Sequence, residues 1–237
     1  MRSVFIILLL IAPLSVMGQK IEGFFNKSDV FLKAYVDKGR VNYEAIKRNQ
    51  SQLDELLNMA QEMDVDISQP EIYKSFWINV YNLAVIMGIT LQYPIDSPLN
   101  ISGFFDKVKY SVGRKELTLN EIENDMLRAL FPDEARFHFV LVCAGLGCPP
   151  IISTAYRPSL LEEQMEAQTR KAINDVNFIK VEGDQVRISQ IFEWYEEDFT
   201  RNGKSILSFL NNYRKSQLPE NVKISYYPYD WSLNQTE

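Results

Sequence analysis

"FWINVYNLAVIMGITL", Phe76 to Leu91, is the stretch on which the fold turns. Sixteen residues with no formal charge read either as a membrane span or as the buried centre of a folded domain. A spanning helix needs about 20 predominantly apolar residues, and this run is shorter and carries Asn79 and Asn82. The reading is therefore a buried helix, apolar all round and placed at the middle of the fold. Pro70 opens it, as proline does at a first helical turn. Asn79 and Asn82 lie three apart and share one helix face. Buried amides need hydrogen-bond partners, so the pair either satisfies backbone groups or orients another polar side chain.

Around this helix the chain alternates helical and hairpin patterns. Ser28–Lys38 reads as a helix closed by Gly39, and Glu44–Met63 as a second with Leu53, Leu56, Leu57 and Ala60 on one face. In "KVKYSV" (107–112) apolar and polar residues alternate, Gly113-Arg114 supplies a two-residue turn, and "KELTL" (115–119) returns. "TLNE" (118–121) and "SLLE" (159–162) read as capping boxes. "RFHFVLVCA" (136–144) is β-rich and almost continuously apolar, which predicts a central strand. A second hairpin, 178–189, two further helices and a terminal strand complete a single α+β domain. Its expected plan is a mostly antiparallel or mixed central sheet packed with helices.

"HFVLVCAGLGCPPI", His138 to Ile151, holds the chain's one histidine and both cysteines. On a regular strand, side chains alternate faces, so His138 and Cys143 point apart. Cys148, beyond the glycines of "AGLG" (144–147), is then the freer partner for His138. Four readings stay open. Cys148 is a nucleophile with His138 as its base and Asn79 or Asn82 orienting the imidazole. Cys143 and Cys148 form a disulfide, as exported chains with paired cysteines usually do. His-x4-Cys-x4-Cys binds zinc, although this spacing matches no common framework. "AGLG" cradles a phosphate, a weak signal without a full glycine fingerprint.

The ends bear on compartment. Met1-Arg2, the apolar run "VFIILLLIAPLSV" (4–16) and the small-residue site before Gly18–Gln19 have the layout of a secretory leader, residues 1–18. The expectation is a periplasmic or secreted protein, residues 19–237, without an integral membrane segment. The chain carries a net charge of −6 and no basic cluster, so nucleic acid is not an expected partner. Apolar residues make up 46%, ample for one core. No metal or nucleotide cofactor motif appears. The aromatic tail around Tyr229 and Trp231 reads as packed edge or as a binding surface for peptide or glycan.

Five ordered segments carry a family resemblance: "FWINVYNLAV" (76–85), "LTLNEIE" (117–123), "RFHFVLVCAGLGCPP" (136–150), "ISQIFEWYEEDF" (188–199) and "YDWSLN" (229–234). Over about Tyr73 to Asn234 the chain resembles an exported bacterial member of family 547 of the domains of unknown function. The resemblance implies one motif containing Arg136, His138, Cys143, Cys148 and the double proline. It also implies a histidine after "IE", where this chain has Asn124. At the level of fold alone, an α+β domain with a Cys and a His is similar to the papain and transglutaminase group. The functional expectation is a thiol hydrolase or acyltransferase using Cys148 and His138, with Asn79, Asn82 and Arg136 in the candidate site. The alternative is a non-catalytic binding or structural domain with a Cys143–Cys148 bridge.

Overall fold

The computed structural model describes residues 12–237. Most of the expected leader, residues 1–18, therefore lies outside the described residues. The expected cut at Gly18–Gln19 falls inside α1 (Ala12–Tyr35).

The buried-helix reading of the opening stretch holds. Helix α4 (Pro70–Gln92) starts with proline in its first turn, and every residue from Phe76 to Thr90 is buried. It forms the axis of the larger core, which also takes side chains from α1, α2 (Tyr43–Arg48) and α3 (Ser51–Glu62). The expected single helix over 44–63 is thus two, split at Asn49-Gln50. A hairpin of β1 (Val36–Asp37) and β2 (Arg40–Val41) follows α1. The second hairpin pairs β3 (Lys109–Val112) with β4 (Lys115–Thr118), and Gly113 and Arg114 both take positive φ at its turn. That geometry matches the right-handed strand twist.

The capping box at Thr118 is present: Glu121 N–H donates to Thr118 Oγ1 and Glu121 Oε2 accepts from Thr118 N–H. It opens α5 (Leu119–Glu121), which runs directly into a π-helix, Ile122–Arg128. "SLLE" behaves differently. Helix α6 (Leu161–Ile173) starts after Leu160 and has no side-chain cap. A second core gathers beside the first, built on β5 (Ile179–Glu182), β6 (Gln185–Ser189) and β7 (Lys223–Tyr227). Here β5–β6 is antiparallel and β6–β7 parallel. Against it pack α7 (Ile191–Trp194), α8 (Glu196–Thr200) and α9 (Ile206–Tyr213), with Phe139, Phe192, Phe199 and Phe209 at the centre. The molecule is α+β, with its strands divided among small sheets of two and three.

The expected strand over 136–144 is not there. Ala135–Phe139 is a 3-10 turn, and the following residues run as irregular, buried chain. A run buried on every side looks the same in sequence whether or not it is a strand. The turn sends Phe137 into the first core and Phe139 into the second, leaving His138 at the seam. In place of a ladder, Asn82 Nδ2 donates to Val140 O and Asn82 Oδ1 accepts from Val142 N–H, both at 2.9 Å. One amide on α4 thus stands in for a neighbouring strand.

Candidate functional site

A cavity of about 440 Å³ opens where the two cores meet. Its walls come from α4 (Tyr81), the π-helix (Glu123), the 3-10 turn (His138), the cysteine loop, α7 with Tyr195, and the tail carrying Tyr229 and Trp231. His138 and both cysteines therefore share one cavity. The strand-based argument that set His138 and Cys143 on opposite faces is corrected, because the segment is not a strand.

The cysteine loop is tight. Cys143 Sγ lies 2.7 Å from Cys148 Sγ, and Cys143 N–H donates to Cys148 Sγ at 3.1 Å. Both thiols are free. Ala144, between Cys143 and the first glycine, is fully buried at φ 65°, a backbone region that costs a non-glycine residue on the order of 1–3 kcal/mol. The tail fixes the loop. Leu146 N–H donates to Ser232 O, Gly147 N–H to Asp230 O, and Asn234 N–H to Ala144 O. A Cβ on Gly147 would sit 2.8 Å from the Tyr229 ring and 2.9 Å from Asp230 N. The glycines thus admit the tail. The tail takes the Leu146 and Gly147 amides and Gly145 N–H turns to Cys143, so these three serve neither a phosphate nor an oxyanion.

Tyr229 hydroxyl lies 2.9 Å from Cys143 Sγ and 2.8 Å from Cys148 Sγ. Burial, and then the neighbouring sulfurs, push the phenol well above its ordinary value, so it stays protonated and donates. The two thiols diverge. Burial raises Cys143, but hydrogen bonds from Cys148, Tyr229 and Gly145 N–H outweigh it and hold the thiol below its usual value. Cys148 is pushed up by burial and by its hydrogen bond and charge contact with Cys143. Cys143 is thus the better thiolate, and Cys148 its donor.

His138 is 5% exposed. Its Nε2 lies 2.7 Å from Asp198 Oδ2 on α8, and its ring stacks on Tyr195 with centroids 4.0 Å apart. Burial opposes ionisation of Asp198, but hydrogen bonds from His138 and Arg128 prevail and hold its carboxyl well below the usual range. A carboxylate only accepts, so Nε2 carries the proton and Nδ1 is left as the basic nitrogen. Arg128 Nε donates to the same Asp198 oxygen at 2.7 Å, and its guanidinium also holds Asn124 Oδ1. Asn124, which stands where the family resemblance implies a histidine, is therefore tied through Arg128 to the His138 pair.

The other expected site residues go elsewhere. Asn79 Nδ2 donates to Ser75 O and Tyr156 O, while its Oδ1 accepts from Tyr156 N–H. Asn82 is occupied by Val140 and Val142. Neither amide hydrogen-bonds His138, so the expected orienting role passes to Asp198. Arg136 pairs with Glu134 and Glu162 away from the cavity lining. Tyr229 and Trp231 do line the cavity. Sequence reasoning passed over Asp198, Glu123 and Tyr195. Asp198 lies within the quoted "ISQIFEWYEEDF", where it follows two other acids and nothing in the sequence marks which of the three turns inward. Among the described residues no group of three or more His, Cys, Asp or Glu gathers as a metal site, and no helix is long and apolar enough to cross a membrane.

An α+β domain with a paired thiol and an imidazole–carboxylate couple in one aromatic cavity is the class these features define. Residues 67–173 match the model of the family described as protein of unknown function, DUF547. No curated protein and no solved structure matches the chain.

Proposed function

We propose that the cavity is a thiol-dependent hydrolase or acyltransferase site, with Cys143 as nucleophile and His138 as acid–base partner. The observation that carries this reading is the convergence of both sulfurs and the Asp198-held imidazole on one cavity. The thiol proton passes to His138 Nδ1. The Cys143 thiolate forms an S–C bond to an acyl carbon, and the departing group takes the proton from His138. Water, losing its proton to His138, then releases the acid and restores the thiol. Asn120, which lines the cavity, is a side-chain donor for the developing oxyanion, a role the occupied loop amides leave open. Incubation with a series of 4-nitrophenyl esters tests this. The expected result is one equivalent of rapid 4-nitrophenolate with the acyl group on Cys143, lost in Cys143→Ala and His138→Ala. Acylation of Cys148, or none on either thiol, would overturn it.

The 2.7 Å approach of the sulfurs favours a second reading. Given a disulfide oxidant, the two thiols lose two electrons and two protons and close as a bridge, and the domain binds without catalysing. A loop this short would stabilise by less than the ~3 kcal/mol of a 15-residue loop. Protein purified from an oxidising compartment without reductant would then weigh two hydrogens less than its reduced form. Export belongs to the same proposal: residues 1–18 act as a leader, and N-terminal sequencing of secreted or periplasmic material is expected to begin at Gln19.

A further inference from the structure

We propose that this cavity selects ligands bearing a positively charged group, an amine or guanidinium, beside the acyl carbon. The inference rests on the thiol reading and names its substrate class. Glu123 lines the cavity from the π-helix and forms no ion pair among the described residues. A π-turn inside a helix is a common device for placing a functional side chain. The cavity's other nearby carboxylate, Asp198, is already answered by Arg128 and His138. No Lys or Arg lines the cavity. Glu123 thus places a carboxylate in a largely aromatic lining, hydrogen-bonded to Tyr195 and within reach of the Arg128 charge but in no ion-pair contact. Its charge reaches Tyr81, Cys143 and Tyr195, where it adds to burial, the larger cause, in opposing loss of a proton, and it also reaches Arg128.

The rings beside it suit a cation. Trp194 stacks on Trp231 with centroids 5.9 Å apart, and Tyr229 lies 4.6 Å from Trp231. Trp194 is 46% exposed, so its indole is open to a ligand in the cavity it lines. Aromatic faces attract ammonium and guanidinium groups within about 6 Å, and a carboxylate among them sets the sign of the charge. A phosphorylated or carboxylated ligand would meet Glu123, and the nearest guanidinium, Arg128 over the Tyr195 ring, is already held by Asp198.

The test measures binding through the fluorescence of Trp194 and Trp231 in Cys143→Ala, so no chemistry intervenes. The probes are Nα-acetyl-lysine methylamide and Nα-acetyl-norleucine methylamide, which differ by the charged amine. The lysine probe is expected to bind at least ten-fold more tightly at pH 7, and Glu123→Gln should erase that margin. Glu123→Gln should unfold at the same temperature as its parent, since no ion-pair contact is lost and the amide oxygen still accepts from Tyr195. Equal binding of the two probes, binding of neither, or a margin that survives Glu123→Gln would overturn the inference. A 4-nitrophenyl ester of Nα-acetyl-lysine, given to the protein with Cys143 intact, separates the two claims. Tight binding without acylation leaves the cation site standing and removes the thiol reading. Acylation with no preference over the norleucine ester does the reverse.

Discussion

Cys143 and Cys148 are five residues apart and opposite in character, and the cause is who donates to whom. Cys143 receives hydrogen bonds from Cys148 and Tyr229 that oppose the effect of burial, so iodoacetamide should label it first. Half-maximal reactivity should fall below the ~8.5 of a free thiol. Cys148→Ala removes one donor and should move that midpoint upward. Faster labelling of Cys148 would show that the assignment is reversed. Asp198 makes the second prediction at this scale. Its folded carboxyl sits below its unfolded value, so it stabilises the protein above about pH 4, and that contribution fades as pH falls through the lower folded value. Its side chain is 9% exposed and faces both His138 and Arg128. Asp198→Asn should therefore destabilise by about 3 kcal/mol at pH 7. Urea unfolding should show the gap to wild type narrowing only in acid below pH 4. A gap that stays constant into acid would mean the ion pairs contribute little.

Among the elements, the irregular run after the 3-10 turn depends on α4 in a way that a strand would not. Asn82→Leu leaves Val140 O and Val142 N–H buried without partners, at about 1–3 kcal/mol for each group. A loss of about 2–5 kcal/mol is expected in denaturant unfolding, and a loss under 1 kcal/mol would show that the run finds other partners. Gly147→Ala drives a Cβ into the Tyr229 ring. It should loosen the tail, seen as faster proteolysis near Tyr229 and as Cys143 labelling that moves to higher pH. Two elements were legible in the sequence: α4, buried all round, from the length of its apolar run and its opening proline, and β3–β4, with one exposed face, from alternation and Gly113-Arg114. "RFHFVLVCA" was not, because alternation distinguishes a strand only when one side meets water. Here Phe137 and Phe139 face two separate cores, so both sides are apolar whatever the backbone does.

Over the whole molecule, the candidate site is a seam between two cores, and this explains which part of it could be read. His138, Cys143 and Cys148 lie within one short motif, and their clustering was visible without any fold. Asp198 and Glu123 reach the cavity from other elements, and only the packing of α8 and the π-helix picks them out from other acidic residues. The family match ends at residue 173, yet the second core draws on both sides of that boundary, with Ala135, Phe139, Ala172 and Ile173 packed among later residues. A fragment of residues 67–173 should therefore lack a cooperative thermal transition by calorimetry, and a sharp transition in it would show that the matched segment folds alone. The clasp of the tail over the cysteine loop also orders events in time. Tyr229 is 86 residues downstream of Cys143, so during synthesis both sulfurs emerge long before the phenol that bridges them. Until then Cys143 lacks one of its donors and Gly147 has no ring against it. The hydrogen bonds that set Cys143 apart from Cys148 are therefore complete only when translation has delivered the clasp.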